Sequence, residues 1–235
     1  MVERFELGPR GKKVRGVLSV PGGGGRLPCV ILSHGLLSSK ESAKYLALSD
    51  ALGAKGIASC RFDYHGCGES DGKIEETTLT ERLANLESVA ALVFENPSID
   101  GARIGLLGSS FGGCTSLLKA ARDRRIGCVS LWATPYRLGS KEGPSPEGID
   151  FRENLYADFA RYDLLAEARK VRCGLVIHGE ADEVVPPEEG AAIYENLDDP
   201  KAFELIKGGD HTFSRAADRE RAISLSLDWL GRFLL

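Results

Sequence analysis

Two kinds of hydrophobic patterning alternate along this chain. Continuous apolar runs at Cys29 to Ser33, Ile57 to Phe62, 103 to 107, Cys128 to Ala133, Val171 to His178 and Ala202 to Lys207 have the length of strands buried on both faces. Between them the apolar positions recur at helical spacing. Tyr45, Leu46, Leu48 and Leu52 mark a helix over Lys40 to Lys55 that ends near Gly56. Leu83, Leu86, Val89, Ala90 and Val93 mark a second, with Thr78 or Thr80 as its cap and Pro97 as its stop. Further helices are expected over about 111–122, 187–196 and 215–234. Two short strands, 2–7 and 13–20, flank the turn-rich Gly8-Pro9-Arg10-Gly11 and predict an opening hairpin. Eight strands alternating with helices predict an α/β fold: a mostly parallel sheet with helices on both faces.

One segment breaks the alternation. Between Thr134 and Lys170, Gly139 to Gly148 reads as loop and Phe151 to Arg169 as helix, with Tyr136, Phe151, Tyr156, Phe159 and Tyr162 along it. These aromatics fit a satellite core or the wall of a small cap over a pocket, an insertion at about 135–170. No internal repeat and no linker-like stretch interrupts the rest, so a single domain over 1–235 is expected. Gly22 to Gly25 lacks the following lysine and serine of a phosphate loop and reads as surface loop.

Composition narrows the partners more than the fold. The chain of 235 residues is 43% hydrophobic and 27% charged with a formal net charge of −4, and no basic stripe runs along it, which argues against nucleic acid. Met1 to Arg10 lacks the apolar stretch of a signal peptide, and nowhere do about 18 apolar residues run together, so the expectation is a cytoplasmic protein without a membrane span. The six cysteines sit mostly in or beside apolar runs, which in a reducing compartment makes them small core residues. No C-x-x-C pair exists and the four histidines are scattered, so neither a metal nor a cofactor is expected.

The candidate chemistry centres on Gly108-Ser109-Ser110-Phe111-Gly112, a G-x-S-x-G pattern between an apolar run and a helix. That context lifts the middle serine above the sheet edge. Only Ser110 has glycines on both sides at the required spacing. A serine hydroxyl needs a base to take its proton and an acid to orient that base. Two later segments supply them, His178-Gly179-Glu180-Ala181-Asp182-Glu183-Val184-Val185-Pro186 and Gly208-Gly209-Asp210-His211-Thr212-Phe213, both just past strand C-termini, where open α/β sheets bind ligands. Ser110, Asp182 and His211 stand in the order serine, acid, histidine. Asp210, Glu180 and Glu183 compete for the acid, but adjacent residues such as Asp210 and His211 rarely point at each other. His34, His65 and His178 compete for the base. Cys67 and Cys114 have nothing nearby in sequence to lower their pKa and read as inert thiols. The backbone N–H of Phe111, after the nucleophile, is one donor for an oxyanion.

Taken with Ser33-His34-Gly35, Phe62 to Ser70, His178 to Pro186 and Gly209-Asp210-His211, the pentapeptide makes the chain resemble an α/β-hydrolase of the single-domain esterase type, acylglycerol lipase or feruloyl esterase-like, nearly end to end. The resemblance implies Ser110 as nucleophile, His211 as base and then acid, Asp182 as its orienting partner, and Leu36 as the second backbone oxyanion donor. It gives His34, His65 and His178 structural roles, and Asp63 to Ser70 reads as a tight turn using Gly66 and Gly68. The implied activity is hydrolysis of a small-molecule carboxylic ester. A thioesterase, a serine peptidase and a non-catalytic binding protein are the alternatives on the same fold. The macromolecular association compatible with this reading is a homodimer with a second copy of the chain. Leu36 and Leu37 would make the oxyanion rim apolar.

Overall fold

In the computed structural model, which describes residues 1–8, 11–139, 149, 151 and 153–235, the elements run β1 (Val2–Leu7), β2 (Val14–Ser19), β3 (Leu27–Ser33), α1 (Ala43–Ala54), β4 (Ala58–Phe62), α2 (Leu79–Glu95), β5 (Ile99–Ser109), α3 (Phe111–Arg122), β6 (Ile126–Trp132), α4 (Glu153–Phe159), α5 (Leu164–Ala168), β7 (Gly174–Gly179), α6 (Pro187–Asn196), β8 (Lys201–Ile206) and α7 (Ala216–Leu234). The strands form one sheet in the order β1-β2-β4-β3-β5-β6-β7-β8. The β1–β2 and β2–β4 pairs are antiparallel and every other pair is parallel. This is the α/β-hydrolase fold.

Strand alternation divides the core in two. Along β3, Cys29 and Ile31 join the cluster under α2, α3 and α6, whereas Val30 and Leu32 join the one under α1 and α7. The inner strands β3, β6 and β7 are buried on both faces, which is why these segments read as unbroken apolar runs rather than alternating ones, whereas the edge strand β1 is largely exposed.

Several boundaries moved for identifiable reasons. Helix α1 begins at Ala43 rather than Lys40, because Lys40 is drawn into the body: its backbone N–H and its ammonium bond the two Asp63 oxygens at 2.7 and 2.9 Å. Thr78, not Thr80, caps α2, accepting from the Glu81 N–H at 3.1 Å. Strand β5 starts at Ile99, four residues early, because Leu27 pairs with Ile99 across a register shift.

The expected helix over 151–169 is two, α4 and α5, and Asp163 caps the second by accepting from the Ala166 N–H at 3.0 Å. Phe151, Leu155 and Phe159 are buried in the main cluster, with Tyr136, Tyr156 and Tyr162 packed at its margin. Thr80 ties α4 to α2: its N–H and hydroxyl bond Asp158 at 2.8 and 2.6 Å, and its oxygen meets the Tyr162 hydroxyl at 2.6 Å. These aromatics extend the core rather than forming a satellite. The loop expected over 139–148 lies, beyond Gly139, outside the described residues.

Candidate active site

The site is assembled at the C-terminal ends of β3, β5, β7 and β8. Strand β5 ends at Ser109 and α3 begins at Phe111, leaving Ser110 alone to reverse the chain. Its backbone sits at φ 55° and ψ −126°, sparsely populated for a residue with a side chain, and such strain costs on the order of 1–3 kcal/mol. Surrounding contacts impose it. The Ser110 N–H donates to the Trp132 carbonyl at 2.8 Å, while its own carbonyl accepts from Gly113 at 2.8 Å. The flanking glycines allow close approach: a methyl group at Gly112 would collide with the carbonyl oxygens of Ser33 and His34, and one at Gly108 with that of Gly112. The sharp turn thus wedges α3 against the end of β3.

Strand β7 carries Asp182 on the turn that follows it, and the loop after β8 carries His211. His211 Nε2 lies 3.0 Å from Ser110 Oγ. On its other side Nδ1 lies 2.8 and 3.1 Å from the two Asp182 oxygens. With a carboxylate against it Nδ1 carries the proton, leaving the Nε2 lone pair toward the serine. Asp182 accepts from the Val184 and Val185 N–H groups at 2.9 and 2.8 Å. Burial by itself would raise its pKa, but the hydrogen bonds from His178, His211 and Val185 outweigh burial and hold the carboxyl well below the usual range.

Of the rival acids, Asp210 turns away from its neighbour and accepts instead from Thr212 and Ser214 N–H groups at 3.1 and 2.9 Å. Glu180 accepts from the Gly208 N–H at 2.9 Å. Of the rival bases, His34 is buried with Nε2 accepting from the Tyr64 N–H at 3.0 Å and Nδ1 donating to the Gly35 carbonyl at 2.7 Å. Burial and the nearby Arg82 charge push its pKa down to about 3, so it is neutral. His65 is wholly buried between Gly72 and Glu81, and Gly66 and Gly68 take the positive φ values of 80° and 51° that the Asp63 turn needs.

His178 does touch the constellation. Its Nε2 lies 2.9 Å from the Val185 carbonyl and 3.2 Å from Asp182 Oδ2, so the carboxylate is held between two imidazoles. The structural role that the resemblance implies for His178 takes this form, a second imidazole on the acid from a position four residues before it, at the end of β7. All six cysteines are free thiols, and burial pushes the pKa of Cys67 and Cys114 up.

Opposite His211, the loop after β3 brings Gly35 against the serine, its Cα so placed that a methyl group there would be 3.4 Å from Ser110 Cβ. The N–H of Leu36 donates to no acceptor among the described residues. The N–H of Phe111, in the first turn of α3, has no intrahelical acceptor available to it. The arrangement sets an imidazole nitrogen against the Ser110 hydroxyl, so that it can accept the hydroxyl proton.

The family model for serine aminopeptidase S33 (Hydrolase_4) matches residues 27–147. An uncharacterised 31.7 kDa protein from the traX-finO intergenic region of Escherichia coli is 34% identical over 270 aligned positions, spanning 92% of this chain and 94% of its own length. The mitochondrial palmitoyl-protein thioesterase ABHD10 of Mus musculus is 28% identical, spanning 83% of this chain and 72% of its own. Among solved structures, Est1E from Butyrivibrio proteoclasticus with ferulic acid bound superposes with a TM-score of 0.85 at 23% identity, covering 97% of this chain and 99% of Est1E. DcsB in complex with a substrate analogue gives 0.84 at 19% identity, with 99% and 100% covered. At these identities the structures speak for the fold alone.

Proposed function

Because the chain belongs to the serine aminopeptidase S33 family of α/β-hydrolases and is therefore a hydrolase, we propose that it cleaves small-molecule carboxylic esters through an acyl-enzyme formed on Ser110. The observation that carries this reading is the unbroken chain from Ser110 Oγ through His211, 3.0 Å on one side and 2.8 Å on the other, to Asp182. His211 Nε2 takes the hydroxyl proton as Oγ bonds to the acyl carbon, and the carbonyl electron pair moves onto its oxygen. The Leu36 and Phe111 N–H groups receive that oxyanion. The C–O bond to the alcohol then breaks with the His211 proton transferred to it. Water, deprotonated by the same nitrogen, releases the acid and restores Ser110.

An apolar acyl group suits the rim. Leu37 and Val184, each within two residues of a site residue, are 42% and 68% exposed. In this reading the chain works as one domain and α4 walls one side of the acyl site, with the Phe111 and Phe159 rings 5.8 Å apart at the junction. A second reading, thioester hydrolysis, draws support from the relative named as a palmitoyl-protein thioesterase. Among the described residues no helix is long and apolar enough to cross a membrane.

The test is kinetic. Purified protein should hydrolyse a series of p-nitrophenyl acyl esters, and Ser110→Ala should lower kcat by at least ~10³-fold and abolish fluorophosphonate labelling. Full activity in Ser110→Ala would overturn the assignment. Acyl-thioesters and aminoacyl amides run beside the esters decide the leaving group.

A further inference from the structure

A buried guanidinium lies directly behind the loop that faces Ser110. Arg82, on α2, is wholly inaccessible to solvent. It lies on the apolar face of that helix, among Leu79, Leu83, Leu86 and Val89, and forms no ion pair with a carboxylate among the described residues. Its donors go elsewhere. Nε–H bonds the Thr77 hydroxyl at 3.1 Å, and one terminal nitrogen bonds the carbonyls of His34 at 3.4 Å and Gly35 at 3.1 Å. The other bonds the Leu36 carbonyl at 2.9 Å and the Cys67 sulfur at 3.3 Å. A guanidinium has five N–H groups, and these five acceptors use all of them. The planar group also lies against the Tyr64 and Phe111 rings, 4.6 and 5.4 Å from their centroids.

A buried charge without a counter-charge is expensive, and a fully satisfied one is tolerated where it organises something. What Arg82 organises is specific. Three consecutive carbonyls, His34, Gly35 and Leu36, are turned inward onto one rigid fork. The Gly35 carbonyl and the Leu36 N–H belong to the same planar peptide unit, so fixing the first toward Arg82 fixes the second away from it, toward the site. Donation from a cation to that carbonyl also polarises the amide and strengthens its N–H as a donor.

We propose that Arg82 is a positioning residue for the oxyanion hole: it aims and polarises the Gly35–Leu36 peptide whose N–H meets the developing negative charge. This rests on the acyl-transfer reading above and deepens it. Arg82 does not touch substrate. Because the interaction strengthens only as charge builds on the oxygen, its loss acts on the transition state more than on substrate binding.

The experiment compares wild type, Arg82→Lys and Arg82→Met by steady-state kinetics on a short p-nitrophenyl ester, by inhibition with a trifluoromethyl ketone, and by the amide proton shift of Leu36. Far-ultraviolet circular dichroism and thermal melting check folding. Arg82→Met is expected to lose about 100-fold in kcat with KM within about twofold, as for removal of one oxyanion donor. Arg82→Lys, keeping the charge but not the fork, should recover part of that loss. Affinity for the trifluoromethyl ketone, whose adduct carries an oxyanion, should fall in proportion to kcat/KM. The Leu36 amide proton should move upfield in both variants. If Arg82→Met does not fold, Arg82→Lys carries the test alone.

A folded Arg82→Lys with wild-type kcat, wild-type ketone affinity and an unmoved Leu36 amide overturns the proposal, as does a loss confined to KM. Failure of the wild type to cleave any ester or to be labelled at Ser110 overturns the functional reading instead. The Leu36 shift still reports on Arg82 in that case.

Discussion

The two loops that converge on Ser110 are held in opposite ways. On one side His34, Gly35 and Leu36 are gripped from beneath, their carbonyls on Arg82 and the His34 ring on the Tyr64 N–H. On the other, His211 rides a surface loop, its side chain 16% exposed, steadied by its own neighbour Asp210 and by the Phe213 ring 5.6 Å from Trp132. Under the proposed mechanism the jobs differ accordingly. A donor for an oxyanion works at a fixed distance and gains from immobility and from a positive charge behind it. A base must hand one proton from Ser110 to a leaving group, so it needs a single firm anchor, Asp182 on Nδ1, and freedom at Nε2. In that mechanism rigidity serves the donor side and freedom at Nε2 serves the base side.

Cutting the tether is the largest way to strain this contrast. Asp182→Asn presents an amide where His211 Nδ1–H needs an acceptor and favours the wrong tautomer, so kcat on a short ester should fall by about 10³–10⁴-fold. A loss under tenfold would mean that His211 is oriented by something else. The donor side is probed by pH. His34 accepts the Tyr64 N–H, so protonation would set two donors face to face, and the folded pKa of about 3 lies below that of an unfolded imidazole, about 6.5. The unfolded chain therefore binds the extra proton first as pH drops. Stability is full above about 6.5 and is lost as pH falls toward 3, by about 2–3 kcal/mol between pH 7.5 and 4.5. Urea unfolding at both values, against His34→Gln as the non-titrating control, checks this. Equal pH sensitivity in the two proteins would remove His34 as the cause.

A glycine pair then compares the sides directly. Gly112→Ala forces α3 away from the Ser33 and His34 carbonyls, and should cost about 1–3 kcal/mol of stability and about 100-fold in kcat. Gly209→Ala meets the Ile206 carbonyl, the Ile206 side chain and the Gly179 Cα at 3.1–3.3 Å, milder crowding than the overlap with the Ser33 and His34 carbonyls at Gly112, so thermal melting and kcat should fall less than in Gly112→Ala. The reverse ranking would invert the assignment of rigidity.

What could be read from residue order alone follows the same line. Runs buried on both faces announced the strands, and Ser110, Asp182 and His211 sat in short segments whose glycines and strand ends marked them. The structure brings these three within hydrogen-bond reach. Arg82 escaped because its role lies in what packs against it from a distant segment, 46 residues away at Leu36. A trace of Arg82 was nonetheless present: at helical spacing it falls on the apolar face of α2, where a charge is anomalous. Lys40 was misjudged for a related reason. Its helix-compatible spacing says nothing of Asp63, 23 residues on, which pulls it out of α1, or of Glu69, which meets its ammonium at 2.5 Å.

The smallest effect is expected from the base loop's own stitching. Asp210 accepts from the Thr212 and Ser214 N–H groups at 3.1 and 2.9 Å and from the Ser214 hydroxyl, a local turn of the kind aspartate commonly makes. Asp210→Ala removes those acceptors but leaves the exposed N–H groups free to bond water, so the cost should be about 0.5–1.5 kcal/mol. His211 keeps its bonds to Asp182, and kcat should fall only threefold to tenfold. Melting temperature and steady-state kinetics on the same ester measure both. A fall in kcat matching that of Asp182→Asn would mean that the turn itself, rather than the carboxylate on Nδ1, sets the ring, and the loop would then belong with the rigid side of the site.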